Sequence, residues 1–169
     1  MNSHRRLIVM RHAKAEPFAA TDQGRVLTAR GVRSAREAGR HLAAAGITPD
    51  YVIVSTAVRS SSTWEAVAEA AGLALAAVVD TAVYHGSADV VLEALRAAPA
   101  DASTVMFVGH NPSAAYLATQ IDDGDGDARA IHEMLHGFPV GALVVFDVEV
   151  PWADLGPETG RVVDFHVPR

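Results

Sequence analysis

The chain has 169 residues, with 14 Lys and Arg against 20 Asp and Glu and a net charge of −6. Half of it is apolar and a fifth is charged, which fits one globular domain over residues 1–169 built around a single core. The acidic balance argues against a nucleic-acid binder. The absence of cysteine excludes disulfides, thiolate catalysis and Cys-ligated zinc.

The first segment, MNSHRRLIVMRHAKAE, is basic, but its apolar run covers only Leu7 to Met10. That run is too short for the apolar region of a signal peptide, and no run is long enough to span a membrane. A cytoplasmic location without membrane attachment is the expectation. Leu7 to Met10 itself reads as a buried strand. Pro17 to Leu27 reads as a loop, and Thr28 caps a helix that runs to about Ala45 and stops at Gly46. On this helix Val32, Ala35, Gly39 and Leu42 share one face, with Arg33, Arg36, Glu37 and Arg40 on the other.

Tyr51 to Val54 is a second strand, and Arg59 to Ala71 a second helix that ends at Gly72, with Trp64, Val67, Ala68 and Ala71 inward. Ala76 to Val79 gives a weaker third strand, and Ser87 caps a helix through about Ala97. Thr104 to Val108 is a fourth strand, and Pro112 to Ile121 a helix with proline in its first turn. Ile121 to Ala128, IDDGDGDA, has the composition of a flexible loop. Ala128 to Leu135 is an amphipathic helix with Ile131 and Leu135 inward and Gly137 as its cap. Ala142 to Val148 and Arg161 to His166 close the chain as strands. Alternating strands and helices predict a three-layer α/β/α sandwich with a mostly parallel sheet. The last two strands follow each other without a helix, so one of them is expected to be antiparallel.

Three of the strand ends carry chemistry. Arg11-His12 follows the first strand, Arg59 opens the helix after the second, and His110-Asn111-Pro112 follows the fourth. Ligands of open α/β sheets bind outside the carboxyl ends of the strands, so two Arg and two His are expected at one edge. Arg presents a planar fork that matches phosphate oxygens in pairs, and a helix N-terminus after His110 adds N–H donors. A neutral imidazole can carry a phosphoryl group as a covalent intermediate, while surrounding cations stabilise the oxygens in transfer. No carboxylate cluster is placed to hold magnesium, and neither a metal nor a cofactor is expected. These residues do not by themselves say which histidine attacks.

VMRHAKAE (Val9 to Glu16), STAVRSSST (Ser55 to Thr63) and VGHNP (Val108 to Pro112) together resemble, in order, the motifs of the histidine phosphatase superfamily, whose fold is phosphoglycerate mutase-like. LTARG (Leu27 to Gly31) and FPVGALVVF (Phe138 to Phe146) are similar to the short SixA-type phosphohistidine phosphatase branch. The resemblance implies that His12 is the nucleophile, that Arg11, Arg59 and His110 hold the phosphate, and that Asn111 is an extra ligand. It implies a metal-independent phosphatase acting on phosphohistidine in a protein or on a small phosphorylated substrate. Two departures stand out. Ala13 follows His12 where the commoner motif has Gly, and the Glu general acid of larger members has no evident equivalent in Asp80 to Asp89. His85 and Asp89 are the candidates for that acid. Its absence favours phosphohistidine, whose leaving group is easily protonated, over alkyl esters.

Two other readings compete. His132-Glu133-Met134-Leu135-His136 matches the H-E-x-x-H zinc-peptidase pattern, with Asp147, Glu149 and Glu158 as candidate third ligands. A catalytically dead phosphate- or protein-binding module is the non-enzyme alternative. The Arg run from Arg25 to Arg40 reads either as a solvated helix face or as a guide for acidic substrates. Nothing in the sequence sets an oligomeric state.

Overall fold

A computed structural model describes residues 4–169; Met1, Asn2 and Ser3, which begin the basic segment above, lie outside the described residues. Six strands form one mixed sheet. They are β1 (Arg5–Arg11), β2 (Tyr51–Ser55), β3 (Val78–Asp80), β4 (Thr104–Gly109), β5 (Leu143–Val148) and β6 (Gly160–His166), in the order β3-β2-β4-β1-β5-β6. β1 to β4 pair in parallel. β5 runs antiparallel to both β1 and β6, which settles the orientation left open between the last two strands. β1 sits inside the sheet and Leu7, Ile8, Val9 and Met10 are wholly buried, as a strand covered on both faces requires.

Five helices cover the sheet: α1 (Ala29–Ala44), α2 (Val58–Ala71), α3 (Ala88–Arg96), α4 (Ser113–Ile121) and α5 (Ala128–His136). α1 and α2 pack on one face, where Leu42, Trp64 and Val67 meet Ile8, Met10 and Val108. The other face is built from α3, α4 and α5, with Leu95, Leu117 and Met134 against Val9, Phe107 and Phe146. This is the expected three-layer arrangement. No helix among the described residues is long and apolar enough to cross a membrane.

Three local readings change. The third strand begins two residues later than expected and ends one later, and Val78 and Val79 are exposed on it. It is a three-residue edge strand, which the sheet barely buries. On α5 the inward residues are Ala130 and Met134; Ile131 is half-buried against the core and Leu135 is 59% exposed. Asp127 caps that helix through its side chain, which fixes the rotation of a short helix whose two apolar faces are nearly equivalent. The acidic loop is also anchored: Asp123 and Asp127 donate backbone N–H groups to Gly160 and Val162 on β6, and Arg161 pairs with Asp123 at 3.0 Å.

Candidate active site

β1 brings Arg11 and His12 to the sheet's carboxyl edge, and its register pairs Arg11 with Gly109, the residue before His110. The His12 N–H donates to the Gly109 carbonyl at 2.9 Å, and the His12 carbonyl accepts from Gly141 N–H at 2.9 Å. Gly141 has φ of +78°, a conformation that glycine adopts without strain. Ala13 is buried, donates its N–H to Thr63 Oγ1 at 3.0 Å, and is not among the residues with positive φ. Alanine after His12 therefore carries no backbone strain.

Behind this loop, Thr28 caps α1 by accepting from Gly31 N–H at 2.9 Å, and its own N–H donates to the Lys14 carbonyl. A Cβ at Gly31 would stand 2.1 Å from that same carbonyl oxygen. The LTARG segment thus lets α1 press directly on the backbone two residues beyond His12.

The His12 Nδ1 lies 2.7 Å from the Ala13 carbonyl oxygen. A carbonyl can only accept, so Nδ1 carries the proton and Nε2 keeps the lone pair. Burial, and then the neighbouring guanidinium groups of Arg59, Arg11 and Arg25, push the His12 pKa down to about 4 against the hydrogen bond to Ala13. His110 is pushed down to about 3, chiefly by burial and then by His12 and Arg59. Both imidazoles are neutral at neutral pH, with ring centroids 5.2 Å apart. The His110 ring is fixed by two hydroxyls on its Nε2, Ser55 at 2.7 Å and Ser60 at 3.3 Å.

Arg11, His12, Arg59, His110 and Asn111 all line one cavity of about 330 Å³. The Nε groups of Arg11 and Arg59 are buried without a hydrogen-bond partner, which is costly for an N–H donor. Asn111 differs from the others. Its Nδ2 donates to the Phe138 carbonyl at 2.8 Å and its Oδ1 accepts from Ala115 N–H, so its side chain holds the loop and the start of α4.

Of the two acid candidates, His85 lines the cavity and Asp89 does not; Asp89 lines an adjoining groove. The carboxylate that reaches the site is one the sequence did not single out. Asp22 accepts from Arg59 Nη2 at 3.1 Å and from the Tyr84 hydroxyl, and the Asp22 carbonyl accepts from Arg59 Nη1 at 2.8 Å. The Tyr84 bond first, and Arg59 next among the favourable causes, hold the Asp22 pKa down to about 2. A carboxylate so firmly ionised is a clamp for Arg59 and a poor proton donor. Tyr84 and Arg25 also line the cavity. No spacing pattern marks any of these three, since two sit in the long loop before α1 and one after a short edge strand.

His132 and His136 lie on the exposed side of α5 with ring centroids 4.3 Å apart. Among the described residues, no group of three or more His, Asp or Glu is placed to hold a metal ion. Asp147, Glu149 and Glu158 do not join the pair.

The model of the histidine phosphatase superfamily (branch 1) matches residues 7–83. An uncharacterized protein of Mycobacterium tuberculosis is 33% identical over 162 residues, which covers 95% of this chain and 100% of that one. A structure from Nakamurella multipartitia, assigned as the phosphohistidine phosphatase SixA, is 32% identical with a TM-score of 0.84, covering 98% of this chain and 96% of that one. A SixA structure from Agrobacterium tumefaciens with the same assignment is 28% identical with a TM-score of 0.79, covering 97% and 98%.

Proposed function

The chain belongs to the histidine phosphatase superfamily, in its SixA-type branch, and from that premise we propose that it hydrolyses phosphohistidine in a protein by way of a phosphoryl group carried on His12. The observation that carries this reading is the 2.7 Å contact from His12 Nδ1 to the Ala13 carbonyl, because it leaves Nε2 as a free lone pair on a neutral ring. In the first step Nε2 attacks phosphorus and the P–N bond of the substrate breaks. The departing imidazole keeps the electron pair, neutralised by the proton already on the substrate ring. The charge that develops on His12 is stabilised through Nδ1–H and the carbonyl. In the second step water attacks phosphorus, the P–Nε2 bond breaks, and inorganic phosphate leaves with His12 restored.

Arg11, Arg59 and His110, which line the cavity together with His12, hold the phosphoryl oxygens in both steps. Asn111 contributes by holding the loop that carries His110. Asp22 orients Arg59. With Asp22 ionised and Asp89 outside the cavity, no carboxylic acid serves the leaving group and His85 is the one acid candidate left; the lack of a carboxylic acid supports phosphohistidine over alkyl esters. The same reading takes residues 1–169 as one catalytic domain, working in the cytoplasm with neither metal nor cofactor.

The test compares a phosphohistidine peptide, aryl phosphates with acidic phenols and simple alkyl phosphates, with and without chelator. Turnover of the first two with negligible alkyl cleavage is expected. Alkyl phosphates turned over as well as phosphohistidine would replace this substrate with a small ester. No turnover of anything, with phosphate still bound, would mean a binding module.

A further inference from the structure

The arginine run from Arg25 to Arg40 is not one face. Arg36 pairs with Glu69 on α2 at 3.3 Å. Arg25 and Arg30, with Lys14, instead line a groove of about 490 Å³ that shares Arg11, His12 and Arg25 with the catalytic cavity and continues to Ser34 and Pro168. No carboxylate lines this groove. The Arg25 Nε is partnered by Asp22 at 3.1 Å. Lys14 and Arg30 are exposed and make no ion pair among the described residues.

Arg30 also holds a position that folding does not favour. It lies in the first turn of α1, which contains no acidic residue, and a cation at that end opposes the helix dipole. Two unpaired cations therefore flank the reacting histidine on a chain that is acidic overall.

A second groove of about 430 Å³ adjoins the cavity through different residues, sharing His85, Gly86, Pro112 and Ser113 with it and running on to Ala88 and Tyr116. The two grooves share no lining residue. A small phosphorylated molecule fills only the central 330 Å³, whereas an extended polypeptide with its phosphorylated residue at His12 crosses all three spaces.

We propose that Lys14 and Arg30, with Arg25 behind them, form a subsite for an acidic side chain that neighbours the phosphohistidine of a polypeptide substrate. This rests on the phosphohistidine reading above. The test uses three phosphohistidine peptides that differ only in whether the flanking residues are acidic, amide or basic. Each kcat/KM is referenced to the same enzyme's rate on phosphoramidate. Two exposed ion pairs predict that the acidic peptide is preferred over the amide one by about fivefold, with the basic peptide poorest. In the Lys14→Gln, Arg30→Gln double variant the preference collapses to about twofold or less, and raised salt weakens it in the wild type.

Equal rates on all three peptides, or a preference untouched by the double variant, would overturn the subsite while leaving the phosphohistidine reading intact. A gain on an aryl phosphate bearing a carboxylate, with none on the peptides, would overturn the polypeptide assignment. Turnover of aryl phosphates but of no phosphohistidine compound would overturn the underlying reading, and the subsite with it.

Discussion

Acidification probes the state of His12 directly. An unfolded chain takes up a proton on this ring as pH falls below 6.5, whereas the folded site refuses it until about pH 4. The folded pKa is depressed, so the contribution to stability is complete above 6.5 and is lost as pH falls towards 4. At about pH 5, His12 alone removes about 2 kcal/mol of folding stability. His110, pushed down to about 3, acts in the same direction. The same depression protects function: at about pH 5.5 about 97% of His12 is neutral, where an ordinary histidine would be about 9% neutral. Three readouts apply: the His12 ring proton followed by NMR against pH, kcat/KM corrected for the substrate's own ionisation, and urea midpoints at about pH 7 and about pH 5. The stability loss should shrink by about 2 kcal/mol in His12→Asn. A His12 resonance that titrates near 6.5, with the same stability loss in both proteins, would refute the reasoning.

Arg59→Lys should lower kcat/KM about 100-fold and weaken vanadate inhibition, because an ammonium cannot copy the fork; unchanged constants would place Arg59 outside the chemistry. Gly31→Ala puts a Cβ 2.1 Å from the Lys14 carbonyl oxygen, and is expected to cost about 1–3 kcal/mol and to lower kcat by moving the loop behind His12. An unchanged Tm would show that α1 slides freely on that loop. Chelation, and His132→Ala with His136→Ala, should leave activity intact; stoichiometric zinc lost together with activity in that double variant would contradict the metal-free scheme.

The parts of this molecule that were legible in sequence are those where a local pattern meets a strong physical requirement. The run Leu7 to Met10 reads as buried because β1 is covered on both faces, and Arg11-His12 must then emerge at the sheet's edge. Thr28 reads as a helix cap, and the cap bond, accepted from Gly31 N–H, is there at 2.9 Å. The close seating of Gly31 on Lys14 was not legible, since the LTARG resemblance names the segment and not what it packs against. Asp22 and Tyr84 were not legible, since they meet across 62 residues at Arg59 and neither lies in a periodic segment. The same holds for His41, which reaches Asp164 at 2.5 Å and stacks on His166 at 3.9 Å across the α1–β6 boundary. The rotation of α5 was misread because Ile131 and Leu135 compete with Ala130 and Met134, and only the Asp127 cap and the packing against β6 choose between them.

The central claim is that phosphorus is bonded to His12 during turnover. The direct measurement is an alkaline rapid quench of enzyme with a radiolabelled phosphorylated substrate, with the labelled peptide mapped by mass spectrometry. The label should appear on the peptide holding His12, survive alkali, be lost in acid, form at least as fast as steady turnover and be absent from His12→Ala. Label on any other residue, or full single-turnover activity in His12→Ala, would contradict it.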